Sequence, residues 1–139
     1  MDLQKLEALF NEIVGRRNEL SQLSYSDEKY DQLEDEVHDL EDDFSEEYGE
    51  VLEDLLGDIH EEMKIDTEVL LPVSYILSRY EEVNGQIDVN VNNGVAIESE
   101  DYPGCNTRLM FLPDPMRLAF TLEGSVTKEW EIKKELSNS

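Results

Sequence analysis

Two histidines stand among carboxylates at helical spacing. Glu34 lies one turn before His38, and Asp58 lies just before His60. Carboxylate and imidazole groups three or four residues apart share a helix face and can ligate a metal. In bundled di-iron sites a Glu-x-x-His repeat on each of two helices does this work. Asp35-Glu36-Val37-His38 offers only an aspartate version, and the partner helices are missing. The simpler expectation is a solvated histidine whose proton affinity is raised by its acidic neighbours, with no metal bound. Asp88-Val89-Asn90-Val91-Asn92 opens like a calcium loop. Its glycine arrives as Gly94, one position late, and the twelfth position is Ser99 rather than glutamate. Strand alternation accounts for the same residues without a cation.

The single cysteine, Cys105, sits in the turn-forming run Tyr102-Pro103-Gly104-Cys105-Asn106. A nucleophilic cysteine needs a base to draw off its proton, and neither histidine is near in sequence. One cysteine also excludes an intrachain disulfide. No glycine-rich phosphate loop, Gly-x-Ser-x-Gly elbow or paired metal motif occurs. These residues point to no catalytic residue, no cofactor and no metal site.

Charge is the strongest signal. The 139 residues carry 35 acids and 11 bases, a formal net charge of -24. Such a balance opposes binding to nucleic-acid backbones or anionic membranes. It is also unevenly placed: the segment Asp27 to Glu62 holds 18 acids and one base, Lys29, for a net of -17. The acids Glu34, Asp35, Asp39, Asp42, Asp43 and Glu46 are the candidate partner-binding residues, and a basic protein surface is the partner they suit. Carboxylates one turn apart also approximate phosphate spacing, so mimicry of DNA is an alternative. A small-molecule binder or enzyme with a pocket between sheet and helix is the other.

These charges ride on a helix. Tyr30, Leu33, Val37, Leu40 and Phe44 step by three and four, the narrow seam of a helix paired with one other. From Tyr48 the stripe widens through Val51, Leu52, Leu55, Leu56, Ile59 and Met63, which asks for a broader partner such as a sheet. Ser26 is the expected N-cap, and Gly49 marks an expected kink. Leu3, Leu6, Phe10, Ile13 and Leu20 set out an earlier helix, in which Arg17 takes a seam slot beside Arg16. Opposite an acidic helix, such an arginine predicts an interhelical ion pair. The run Ser21 to Ser26 is the turn of an antiparallel hairpin covering residues 1–64. Its helices should measure about 33 Å and about 55 Å, so the second overhangs the first.

After Lys64 the period changes. Pro72 can open a short helix to about residue 82, with a strand nearly as well supported. Beyond Asn84-Gly85, Ile87, Val89 and Val91 alternate with polar residues before Asn92-Asn93-Gly94 turns the chain. Three-residue loops at Asn92-Asn93-Gly94, Pro113-Asp114-Pro115 and Glu123-Gly124-Ser125 keep apolar residues opposite one another. They pair Val91 with Val95, Met110 with Leu118, Leu122 with Val126 and Leu118 with Trp130. The resulting face carries Lys128 as its one exception and should lie on the second helix. On that register Leu109 and Phe111 point outward and form a candidate dimer face.

The expected architecture is therefore a single α+β domain over residues 1–139. An antiparallel helical hairpin (1–64) precedes a small antiparallel β-meander (65–133) packed on the long acidic helix, and a flexible tail (134–139) follows. The acidic N-terminus, without a basic leader or an apolar run near 20 residues, fits a cytoplasmic protein. The expected activity is non-enzymatic: an interaction or adaptor protein, homodimeric through its uncovered apolar surfaces.

Overall fold

The computed structural model describes residues 2–77, 81–83, 86–88 and 94–132, and of the two short strands within 81–88 only the backbone. Two helices come first: α1 over Leu3–Ser21 and α2 over Glu28–Glu62. Asp2 caps α1, its carboxylate accepting from the Gln4 and Lys5 N–H groups at 3.0 and 3.2 Å. Asp27 caps α2, accepting from the Lys29 N–H at 2.9 Å. The cap falls one residue later than Ser26. Glu28 and Asp31 then occupy the first turn, where the helix dipole favours negative charge. The 35 residues of α2 run without interruption through Gly49 and Gly57. At about 53 Å it is nearly twice the about 28 Å of α1.

A 3₁₀ turn, Pro72–Tyr75, opens with the proline in its first turn and lies against α2. A hairpin of β1 (Glu81–Val83) and β2 (Gln86–Asp88) follows, so the stretch after Pro72 holds both a short helical turn and a strand. The main sheet is antiparallel and runs in sequence order: β3 (Val95–Ile97), β4 (Thr107–Leu112), β5 (Arg117–Leu122) and β6 (Ser125–Glu131). Two helices before a four-stranded antiparallel meander make an α+β fold. The expected Val91–Val95 pairing and the 134–139 tail fall outside the described residues.

The register between β4 and β5 differs from expectation by one residue. Leu112 faces Arg117, Phe111 faces Leu118 and Leu109 faces Phe120, so the connecting loop has four residues, Pro113 to Met116. A one-residue slip moves every side chain of a strand to the other face. Leu109 and Phe111 therefore point into the core and are fully buried, which removes them as a dimer face. Phe111 meets Phe44 of α2 edge-on at 6.2 Å between ring centroids, and Tyr75 at 6.4 Å. The pattern misled because β4 is apolar on both faces: Met110 and Leu112, pointing the other way, are also buried.

The last hairpin shows how turn chemistry decides such cases. Leu122 pairs with Ser125 across a two-residue loop, Glu123-Gly124, in which both residues have positive φ (52° and 83°). This is the backbone pattern of a type I′ turn, which matches the twist of the flanking strands. A bulge at Phe120/Thr121 then restores the pairing of Phe120 with Lys128 and Leu118 with Trp130. Past the bulge the expected register holds. Lys128 lays its stem on this face, with Nζ 5.2 Å from the Trp130 ring centroid and 3.4 Å from Glu62.

The overhang of α2 is covered within the chain. Leu52, Leu56 and Ile59 are buried together with Phe120, Leu118 and Met63 in one apolar cluster. Both surfaces that suggested a homodimer are thus internal.

Candidate functional site

Three carboxylates beside the apolar stripe of α2 meet cations of the chain: Glu36, Glu41 and Glu62. Glu41 accepts from Arg17 Nε at 3.1 Å and Nη2 at 2.9 Å, the interhelical pair expected of a seam arginine. The same guanidinium donates through Nη1 to the Ile76 and Leu77 carbonyls at 2.9 and 3.3 Å, joining α1, α2 and the end of the 3₁₀ turn. Arg16 reaches Glu19 at 3.6 Å and Glu36 at 4.0 Å. Glu62 accepts from the Trp130 indole at 2.7 Å and pairs with Lys128.

The outward acids differ. Asp35, Asp39, Asp42, Asp43 and Glu46 are all exposed, and none has an ion pair among the described residues. At 100° per residue they fall within one side of the helix, opposite the buried Leu33, Val37, Phe44 and Tyr48. Glu34 does not join them. It is half-buried and lies about 100° behind Asp35, on the flank of the helix rather than its outer side. The Tyr30 phenol is held above its ordinary range by partial burial, with Tyr25 and Glu34 adding to the effect.

The face extends further than the sequence reading took it. Glu50, Glu53 and Asp54 are also exposed and continue the three-and-four spacing. From Asp35 to Glu53 the row covers about 27 Å. The spacing of these later acids was visible in the sequence. The widening apolar stripe beside them drew attention to packing instead.

The histidines part company. His38 is exposed, whereas His60 is buried, with Nδ1 3.0 Å from the Thr67 carbonyl. Burial pushes the His60 imidazole below its ordinary proton affinity, and the Thr67 hydrogen bond opposes this in part. That reverses the expectation of a histidine made more basic by carboxylates. No group of three or more metal-ligating side chains is gathered among the described residues. Cys105 is exposed, with Sγ 3.8 Å from the Pro103 carbonyl. A groove at the hairpin turn is lined by Arg16, Glu19, Lys29 and Glu36 together with the apolar Leu23 and Leu33.

Among the described residues no helix is long and apolar enough to cross a membrane. The molecule is thus an α+β protein whose longest helix presents a one-sided acidic row. No protein-family model, curated protein or solved structure matches the chain.

Proposed function

We propose that the protein is a non-enzymatic docking protein that binds a basic protein surface along the outer face of α2. The observation that supports this is the division of carboxylates. Arg16, Arg17 and Lys128 pair with Glu36, Glu41 and Glu62, while Asp35, Asp39, Asp42, Asp43 and Glu46 face solvent with no ion pair among the described residues. Glu34 leaves the set, because it is half-buried on the flank of the helix. A row of unpaired charge on a rigid helix steers an oppositely charged partner and gives association that weakens steeply with salt. The binding unit is taken as one copy, since both apolar surfaces that argued for a homodimer are covered. Light scattering at micromolar concentration should then give the 16.1 kDa monomer.

The test compares two neutralised variants of equal charge. One carries Asp35→Asn, Asp39→Asn, Asp42→Asn, Asp43→Asn and Glu46→Gln. The control carries Glu12→Gln, Asp66→Asn, Glu68→Gln, Glu98→Gln and Glu100→Gln, all exposed elsewhere. Basic proteins captured from the source cell at low salt should be lost from the first variant and retained by the second. Equal loss from both would mean that net charge alone does the binding, and the site reading would fail.

A further inference from the structure

The end of α2 is closed by a strap, residues 64–70, that leads from the helix toward the 3₁₀ turn. Lys64 adopts a left-handed φ of 52° and ends the helix. The strap then runs beside the segment after β3. The Asp66 N–H donates to the Glu98 carbonyl at 2.9 Å, and the Glu98 N–H donates to Thr67 Oγ1 at 2.7 Å. The Glu100 N–H donates to the Lys64 carbonyl at 3.0 Å, and Ser99 Oγ donates to the Met63 carbonyl at 2.7 Å. Ile65 forms a bridge with Ser99. Little apolar burial backs these bonds at the far end, where Leu70 and Leu71 are 42% and 64% exposed.

His60 lies under this strap, 6% exposed. A carbonyl oxygen can only accept, so the 3.0 Å contact to Thr67 fixes the proton on Nδ1. Nε2 is then a bare lone pair, buried and without a partner among the described residues. A second proton would make Nε2 a charged donor with no acceptor, which is the costly way to bury a polar group.

We propose that His60 is a proton-sensitive latch: its neutral ring holds the strap closed over the end of α2, and protonation of Nε2 in mildly acidic solution opens it. One turn back on α2 stand Leu56 and Gly57, and just past its end Met63 and Lys64, none of them a carboxylate; the acids adjacent on the helix, Asp58, Glu61 and Glu62, are all exposed. The charged groups on the elements packed around it are Lys64, Asp66, Glu68, Glu98, Glu100 and Asp101, all exposed, with Lys64 paired to Asp101 at 3.7 Å. The sign follows from linkage. The open state binds the proton more readily than the closed one, so closure is favoured above the ordinary histidine range and weakens as pH falls below about 6.5. Protonating surface carboxylates relieves the chain's self-repulsion and acts in the opposite direction.

Hydrogen exchange and imidazole NMR on the full chain from pH 7.5 to 5.0 test this. After correction for intrinsic exchange, the opening constant of the Asp66, Glu98 and Glu100 amides should rise by up to tenfold for each pH unit below about 6.5. It should level off at the midpoint of the His60 titration. The α1 core amides should not follow, and His38 serves as the exposed reference. His60→Gln should abolish the pH dependence. If that variant does not fold, the wild-type titration decides alone. A His60 ring that titrates at or above the His38 midpoint would overturn the proposal, as would strap amides indifferent to pH or the same dependence in His60→Gln.

Discussion

Arg17→Met removes one guanidinium and keeps the aliphatic stem, so its effect isolates four hydrogen bonds. Two go to Glu41 Oε1, at 3.1 and 2.9 Å, and two to the Ile76 and Leu77 carbonyls, at 2.9 and 3.3 Å. The Arg17 and Glu41 side chains remain 22% and 23% exposed, so water screens the ion pair and holds its share to about 1 kcal/mol. The carbonyl bonds have a charged donor in a part-buried site, and together they contribute about 2 kcal/mol. The variant should therefore lose about 3 kcal/mol in urea unfolding, while Glu41→Gln loses about 1. Their double-mutant cycle should return a coupling near the smaller figure. High salt should shrink the coupling and leave the rest of the Arg17→Met loss in place. If Arg17→Met and Glu41→Gln cost the same, the carbonyl bonds contribute nothing. Arg17 would then be an ordinary surface pair rather than the joint of three elements.

Phe111→Ala should destabilise by about 3–5 kcal/mol without changing the mass of the folded fraction, because the ring is fully buried against Phe44 and Tyr75; light scattering beside urea unfolding reads both. Gly94→Ala should cost about 2–4 kcal/mol, since at φ +80° its Cβ would stand 2.5 Å from the Leu109 carbonyl oxygen and 2.9 Å from Met110 Cβ. Gly49→Ala has open space and a helical backbone, and should raise the thermal midpoint through a gain of about 1 kcal/mol in helix propensity.

The helices were legible because their apolar spacing and charge agree. Leu6, Phe10 and Ile13 fill one seam, Leu33, Val37 and Phe44 the other, and Arg17 finds an acid across it. The sheet registers were not, for a physical reason. Hydrophobic alternation fixes register only when one strand face is polar, and Leu109, Met110, Phe111 and Leu112 are buried alike. Loop length then decides, and it rests on backbone angles that composition does not display: Asp114 and Glu123 both take positive φ, 59° and 52°, as non-glycine residues. His60 was misread for a related reason. On its own helix it lies on the polar flank, and the strap, joined to the segment after β3, brings the Thr67 carbonyl onto its ring.

Among the described residues no cation pairs with the acidic row. Carboxylates one turn apart repel by about 0.2–0.5 kcal/mol per pair, and Asp35–Asp39, Asp39–Asp43, Asp42–Glu46 and Glu46–Glu50 are such pairs. A single lysine on the outer face would relieve several at once. Instead Arg16, Arg17 and Lys128 come from α1 and β6, and their reach ends at the flanking Glu36, Glu41 and Glu62. Packing against the sheet holds α2 helical through the buried Phe44, Leu52 and Leu56, so the helix tolerates repulsion that an isolated peptide would not. The core thus offsets the cost of a row left unneutralised, and a basic partner laid along α2 would remove that cost. Binding should then raise the stability of α2 as well as compensate its charge, a coupling that hydrogen exchange on the Asp39 to Glu50 amides would register directly.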